Sequence, residues 1–164
     1  QGFDVRTLDI TSDFGADLVG KADDTGLPDS SVDLVLCTQV LEHTPSPWLA
    51  MEEFRRIVKP GGYAVISVPH VWFYHPHPGD FWRVTPEGLD HLCRQFGFEV
   101  EELRVQGGTV AALAQMLNVM LYGLLGKLGA PLFAIVGTTG DLLDRAIPNP
   151  LFTLNVACKA RRLP

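Results

Sequence analysis

Apolar and polar positions change period several times along this chain, and each change marks an element. Val5 to Ile10 alternates and runs into Thr11-Ser12-Asp13, the pattern of a strand ending in a polar loop. Ala16 to Ala22 repeats the pattern more weakly. Val32 to Cys37 (V-D-L-V-L-C) is nearly continuous in apolar residues, as a strand buried on both faces of a parallel sheet requires. Ser46 then offers an N-cap and Pro47 suits a first helical turn, where an amide donor is not needed. Ala50, Met51, Phe54, Ile57 and Val58 supply the apolar stripe, and Lys59-Pro60-Gly61-Gly62 stops the helix before a buried strand over 63–68. Thr85-Pro86-Glu87 opens a second helix on the same logic. Its Leu89, Leu92, Cys93 and Phe96 fall at i, i+3, i+4 and i+7, and Gly97 closes it.

The spacing further predicts a strand over 98–105, apolar helices over 109–127 and about 130–145 broken at Gly129-Ala130-Pro131, and a last strand over 151–159. Strands alternating with helices imply an α/β sheet with helices on both faces. The length, 164 residues, suits one domain with a real core. The chain opens at Gln1 and enters a strand pattern within four residues, which reads as a truncated or processed edge.

A net charge of −6 opposes a phosphate backbone, so nucleic acid is not the expected partner. Lys159-Ala160-Arg161-Arg162 reads as a solvated basic tail. Cys37, Cys93 and Cys158 are too few and too scattered for a disulfide framework or a zinc site, and read as buried thiols of a cytosolic protein. The first ten residues carry charge and form no apolar signal region.

In open parallel sheets, ligands bind beyond the carboxyl ends of the strands, and three such ends carry suitable groups. Asp9 could accept two hydrogen bonds from a ribose diol. Asp23 and Asp24 could accept from an adenine amine. Cys37-Thr38-Gln39 offers carbonyls and small polar groups to a cationic ligand. Each alone is equally an ordinary turn or cap residue.

The stretch L-P-D-S-S-V-D-L-V-L-C-T-Q-V-L-E-H-T (27–44), the helix M-E-E-F-R-R-I-V-K-P-G-G (51–62) and the strand Y-A-V-I-S-V-P (63–69) resemble class I S-adenosylmethionine-dependent methyltransferases of the small-molecule type. The likeness covers roughly residues 4–105 and is most specific over 27–69. It implies a Rossmann-like sheet with an antiparallel last strand, and S-adenosylmethionine as cofactor. By that likeness Asp9 and Ile10 hold the ribose, Ala22, Asp23 and Asp24 line the adenine, and Cys37, Thr38 and Gln39 line the methionine end. Two departures follow. The family's first strand and its glycine-rich loop have no counterpart, although that strand normally lies between those ending at Asp9 and Cys37; its absence leaves a hole in mid-sheet and implies weak cofactor binding by this chain. The adenine position is Asp23 in one register and Lys21 in another, and lysine cannot accept that bond.

After the 63–68 strand comes V-W-F-Y-H-P-H-P-G-D-F-W-R-V-T, a lid or substrate wall over 70–86, which also resembles a subgroup of these enzymes. Tyr74, His77, Asp80 and Arg83 are the candidate acceptor contacts; the competing reading pairs Asp80 with Arg83 and packs the aromatics on the core. No metal is expected, because the prolines extend the backbone and put His75 and His77 on different faces. Methyl transfer depends chiefly on alignment. A hydroxyl acceptor would also need a general base, for which His75 and His43 are the candidates, with His43 equally suited to fixing the loop before the helix.

From Val105 to Gly126 there is no charged residue. The polar residues Gln106, Thr109, Gln115 and Asn118 dilute this stretch below a clear membrane span. The apolar helical insertion at 109–145 is expected to pack on the sheet or roof the acceptor pocket, with contact to lipid or a lipophilic acceptor as the alternative. The reading is methyl transfer to a small or lipophilic acceptor by a cytoplasmic or membrane-associated protein; the alternative is a non-catalytic methyltransferase-like scaffold.

Overall fold

The computed structural model describes Gly2 and residues 4–164. Two short parallel strands come first, β1 (Leu8–Asp9) and β2 (Leu18–Val19), paired among the described residues only with each other. A four-stranded mixed sheet follows, built from β3 (Val32–Thr38), β4 (Val58–Pro69), β5 (Phe98–Gln106) and β6 (Asn155–Arg162). Its order is β3-β4-β6-β5, with β3 parallel to β4 and β6 antiparallel to both β4 and β5. The mixed, helix-flanked α/β class is therefore the one expected, antiparallel last strand included.

Helices α1 (Pro47–Ile57) and α2 (Pro86–Gln95) bury their apolar stripes with one face of this sheet. Met51 and Phe54 of α1 and Leu89 and Cys93 of α2 join Ala64, Ile66, Val68, Val156, Cys158 and Ala160 in a single cluster. Fully burying a side chain the size of Leu89 or Phe98 contributes about 1.5–3 kcal/mol. The other face, carrying Tyr63, Val65 and Ser67, is half-buried.

Several local expectations need correction. The strands expected over 5–10 and 16–22 shrink to two paired residues each, because among the described residues no third strand joins their sheet. Ser46 occupies the N-cap of α1, but its side chain makes no capping bond there, whereas Thr85 Oγ1 accepts from Gly88 N at 3.0 Å. The last strand begins at Asn155 rather than Leu151, because register with β4 and β5 sets its start.

The apolar insertion forms a hairpin of α3 (Thr109–Leu125) and α4 (Ala130–Ala146), turned at Gly126, where φ is +54°. Its limbs pack on each other rather than along the sheet, contrary to expectation. Gly140 permits this packing: a Cβ there would stand 2.3 Å from Ala114 Cβ, so the absence of a side chain lets the two backbones approach closely. At its base the Asp144 carboxylate accepts from the N–H groups of Gly108, Val110 and Ala111 at 2.8, 3.1 and 3.3 Å, capping α3 from the neighbouring helix.

Candidate functional site

The carboxyl ends of β3 and β4 carry a short helical turn (Leu41–His43) and the 70–85 lid loop, and the two are tied together. Phe81 N donates to Glu42 O at 2.8 Å, and Trp82 Nε1 donates to Thr44 O at 3.0 Å. His43 Nδ1 closes on Gly79 O; a carbonyl only accepts, so that nitrogen carries the proton. His43 thus ties the turn before α1 to the lid loop.

Within the lid, Arg83 and Asp80 form a two-pronged pair, Nη1–Oδ1 2.5 Å and Nη2–Oδ2 2.7 Å. Asp80 also accepts from His75 N at 2.9 Å, and its side chain is 2% exposed. The Arg83 guanidinium holds the Asp80 carboxyl well below the usual carboxylate range, and the carboxylate raises Arg83 in turn. Arg83 Nη2 further donates to Phe73 O at 2.8 Å. Asp80 and Arg83, two of the four side chains named as candidate acceptor contacts, therefore spend their charge on each other and shape the lid from within. Tyr74 and His77 lie exposed on its outside.

The rings of His43 and His75 meet edge to face with centroids 4.9 Å apart. Sequence spacing could not show this, since 31 intervening residues and a strand separate them. Beside them Glu42, fully buried, has no hydrogen-bond partner for either carboxylate oxygen among the described residues. Burial pushes its carboxyl up. A polar residue in L-E-H gives no sequence signal of burial, so Glu42 escaped selection as a site residue.

Beneath the lid lies a cavity of about 330 Å³, walled by Leu41, Trp48, Val68, Trp82, Val84 and Leu92 among others. Trp48 and Trp82 meet edge to face across 5.8 Å.

The cofactor-side candidates are more dispersed. Asp9 ends β1, half-buried, with Oδ1 accepting from Thr11 N at 2.9 Å. Ile10 is exposed. Ala22 packs against the core edge, and Asp23 and Asp24 are exposed on a tight turn in which Lys21 and Asp24 exchange backbone bonds. Lys21 and Asp23 thus share one turn. Glu53, unselected from sequence, anchors the segment after that turn. It accepts from Thr25 N at 2.8 Å and Thr25 Oγ1 at 2.5 Å, and pairs with Arg56. Cys37 points into the core, where burial pushes its thiol up to about 12, so it presents no thiolate. Thr38 is exposed. Gln39 adopts φ +54° and donates from Nε2 to Ser67 Oγ at 3.2 Å, fastening the end of β3 to β4.

These groups suit a nucleoside with a cationic tail in kind: a carboxylate to accept from a diol, and carbonyls and an amide oxygen for a charged end. Close backbone N–H contacts from a glycine loop are not among them.

Residues 6–66 match the methyltransferase domain family. An uncharacterized methyltransferase of Mycobacteroides abscessus is 48% identical over 46 residues, which is 28% of this chain and 17% of that protein. A SAM-dependent methyltransferase from Archaeoglobus fulgidus superposes with a TM-score of 0.55 at 15% identity, over 94% of this chain and 74% of that one. The cyclase SpnF superposes at 0.56 with 17% identity, over 88% of this chain and 56% of that one. The matched stretch is a small part of the mycobacterial relative's own length. Residues 6–66 thus match a methyltransferase domain, and the mixed sheet has the fold of S-adenosylmethionine-dependent methyltransferases.

Proposed function

We propose that the chain contributes to methyl transfer onto a small or lipophilic acceptor, with the acceptor held under the 70–85 lid. The observation that carries this reading is the juxtaposition of the His75 ring, on the lid, with the His43 ring on the turn to which the lid is tied. S-adenosylmethionine, when bound, supplies a methyl already activated on a sulfonium. The chain's own work is then to hold the nucleoside and aim the acceptor. Asp9 would accept from the ribose diol, Asp23 from the adenine amine, and Thr38 and Gln39 would line the methionine end. His75, or His43, would take the proton of a hydroxyl acceptor. The Asp80–Arg83 pair would keep the lid in one shape, which matters because alignment dominates this chemistry.

A lipophilic acceptor is favoured by the hairpin. Its residues 109–146 reach a mean hydropathy of 1.8 over 18 residues with only 6% of that window buried. Each limb is 17 residues, about 25 Å long, short of the ~30 Å hydrocarbon core. Lys127 is the single charge between Arg104 and Asp141. Leu124 and Leu128 at the turn are 80% and 94% exposed. We therefore place this hairpin against a membrane surface or a hydrophobic acceptor, as a peripheral element.

The second reading, a scaffold without catalysis, draws on the exposure of Asp23 and Asp24 outside the lid cavity, and on the fact that one fold hosts unrelated chemistries. Calorimetric titration of S-adenosylmethionine into this chain, and into a form lengthened upstream by a strand and a G-x-G-x-G turn, separates them. Binding by the lengthened form that falls at least tenfold in Asp9→Ala supports the enzyme; binding by neither form leaves the scaffold. Flotation with liposomes tests the hairpin, and a chain left wholly in the aqueous fraction removes the membrane reading.

A further inference from the structure

We propose that Glu42, His43 and His75 form a binding site for a divalent transition metal of the zinc class. One ligand atom from each lies within 4.8 Å of the others. His43 Nε2 stands 3.9 Å from Glu42 Oε1.

Two features point to a cation, and a third removes an opposing charge. The first is Glu42 itself: both of its oxygens are buried and without a donor among the described residues, and a buried carboxylate needs a counter-charge or a proton. The second is the tautomer of each histidine. His43 Nδ1–H donates to Gly79 O, leaving Nε2 with the lone pair. His75 Nδ1 lies 3.1 Å from Phe73 O and 3.2 Å from Asp80 Oδ2, both acceptors and both nearer than the Arg83 Nη2 donor at 3.5 Å, so its Nε2 carries the lone pair as well. A carbonyl or carboxylate behind the far nitrogen is the usual support for a metal-bound imidazole. The third is the charge nearby. The Arg83 guanidinium would oppose a cation, but Asp80 neutralises it through both of its prongs.

Two imidazoles and one carboxylate suit zinc or a neighbouring transition ion better than magnesium, which prefers oxygen. Ligand atoms around tetrahedral zinc lie about 3.4 Å apart, so atoms now within 4.8 Å of one another must approach by up to about 1.4 Å to complete the set. Three protein ligands leave a fourth position for water or an acceptor oxygen. The site competes with the general-base role, because both would use the same Nε2 lone pairs. A bound cation would act instead by lowering the pKa of the acceptor hydroxyl. The inference rests on the geometry of the lid and not on methyl transfer, so its test needs no activity.

The test is titration of the dialysed chain with Zn²⁺ by calorimetry, elemental analysis after gel filtration, and Co²⁺ substitution read by visible absorption. One zinc per chain is expected, with no heat from Mg²⁺. Glu42→Gln and His75→Asn should each weaken zinc binding at least tenfold and abolish the Co²⁺ band, while His91→Asn, at an exposed site on α2, should not. His75 lies on the part-exposed lid, so its variant decides the matter if Glu42→Gln fails to fold by circular dichroism. Absence of zinc binding by the folded wild-type chain, or undiminished binding by folded His75→Asn, would overturn the site.

Discussion

Replacing Glu53 by Gln should loosen the segment that follows the proposed adenine turn, and the size of the effect can be worked from the geometry. Glu53 is 9% exposed at its side chain and receives Thr25 N, Thr25 Oγ1, Arg56 Nε and Arg56 Nη2. The Arg56 hydrogen bonds, aided by those from Thr25, lower its carboxyl from 4.5 to about 2. That difference corresponds to at most about 3.4 kcal/mol. Arg56 is 37% exposed, so solvent screens the pair, and about half the ceiling is realistic, roughly 1.5–2 kcal/mol. Gln keeps an acceptor for Thr25 but turns an amide toward the Arg56 donors. Asp29, also paired with Arg56, is 78% exposed and cannot compensate from inside. For a chain of this length the cost corresponds to a fall of ~3–8 °C in Tm. The pH dependence carries its own sign. The unfolded carboxyl protonates near 4.5 and the folded one near 2, so the contribution is complete above 4.5 and fades as pH falls toward 2. Urea midpoints of wild type and Glu53→Gln should therefore differ most at pH 7, and more than about half of that gap should be gone by pH 3. Equal midpoints at pH 7, or a gap as large at pH 3 as at pH 7, would refute the reasoning.

Two further substitutions test local chemistry. Thr85→Ala should cost about 1 kcal/mol in chemical denaturation because it removes the bond to Gly88 N, whereas Ser46→Ala should fall within about 0.5 kcal/mol, having no such bond to lose. Gly140→Leu should force α3 and α4 apart at Ala114 and cost about 1–3 kcal/mol; limited proteolysis should then cut within 109–146 faster while the sheet stays protected, and an unchanged cleavage pattern would contradict the tight crossing.

What the sequence made legible follows a physical line. Elements specified by their own residues were readable: the stripe and cap of α2, the apolar run of β3, the stop at Lys59-Pro60-Gly61-Gly62. Elements specified by partners were not. β1 and β2 keep only the residues they pair, and β6 starts where β4 and β5 allow. The hairpin's apolar surface suggested a sheet to cover, but apolarity does not name a partner, and Gly140 permits the close approach to Ala114. In the site, the lid loop and its histidines were found from their density in sequence. Glu42 and the cross-helix cap by Asp144 were not, because an acidic residue is read as exposed until the fold encloses it.

The same distinction explains why the two sides of the site differ. β3 carries an apolar run fit for burial on both faces, and Val35 and Cys37 obtain it against the core. Leu34 and Leu36, on the opposite face, remain 42% and 68% exposed, and β3 is the last strand of its sheet. The proposed acceptor side is braced by a charged fork, three bonds between the lid and the turn after β3, and packed aromatics. The proposed cofactor side has its strand-end groups, but among the described residues nothing gives Leu34 and Leu36 the covering they are patterned to receive. Burying those two side chains would contribute on the order of 1–3 kcal/mol. Whatever strand or partner supplies that cover should therefore tighten nucleoside binding and stability together, while leaving the lid and the geometry of its histidines unchanged.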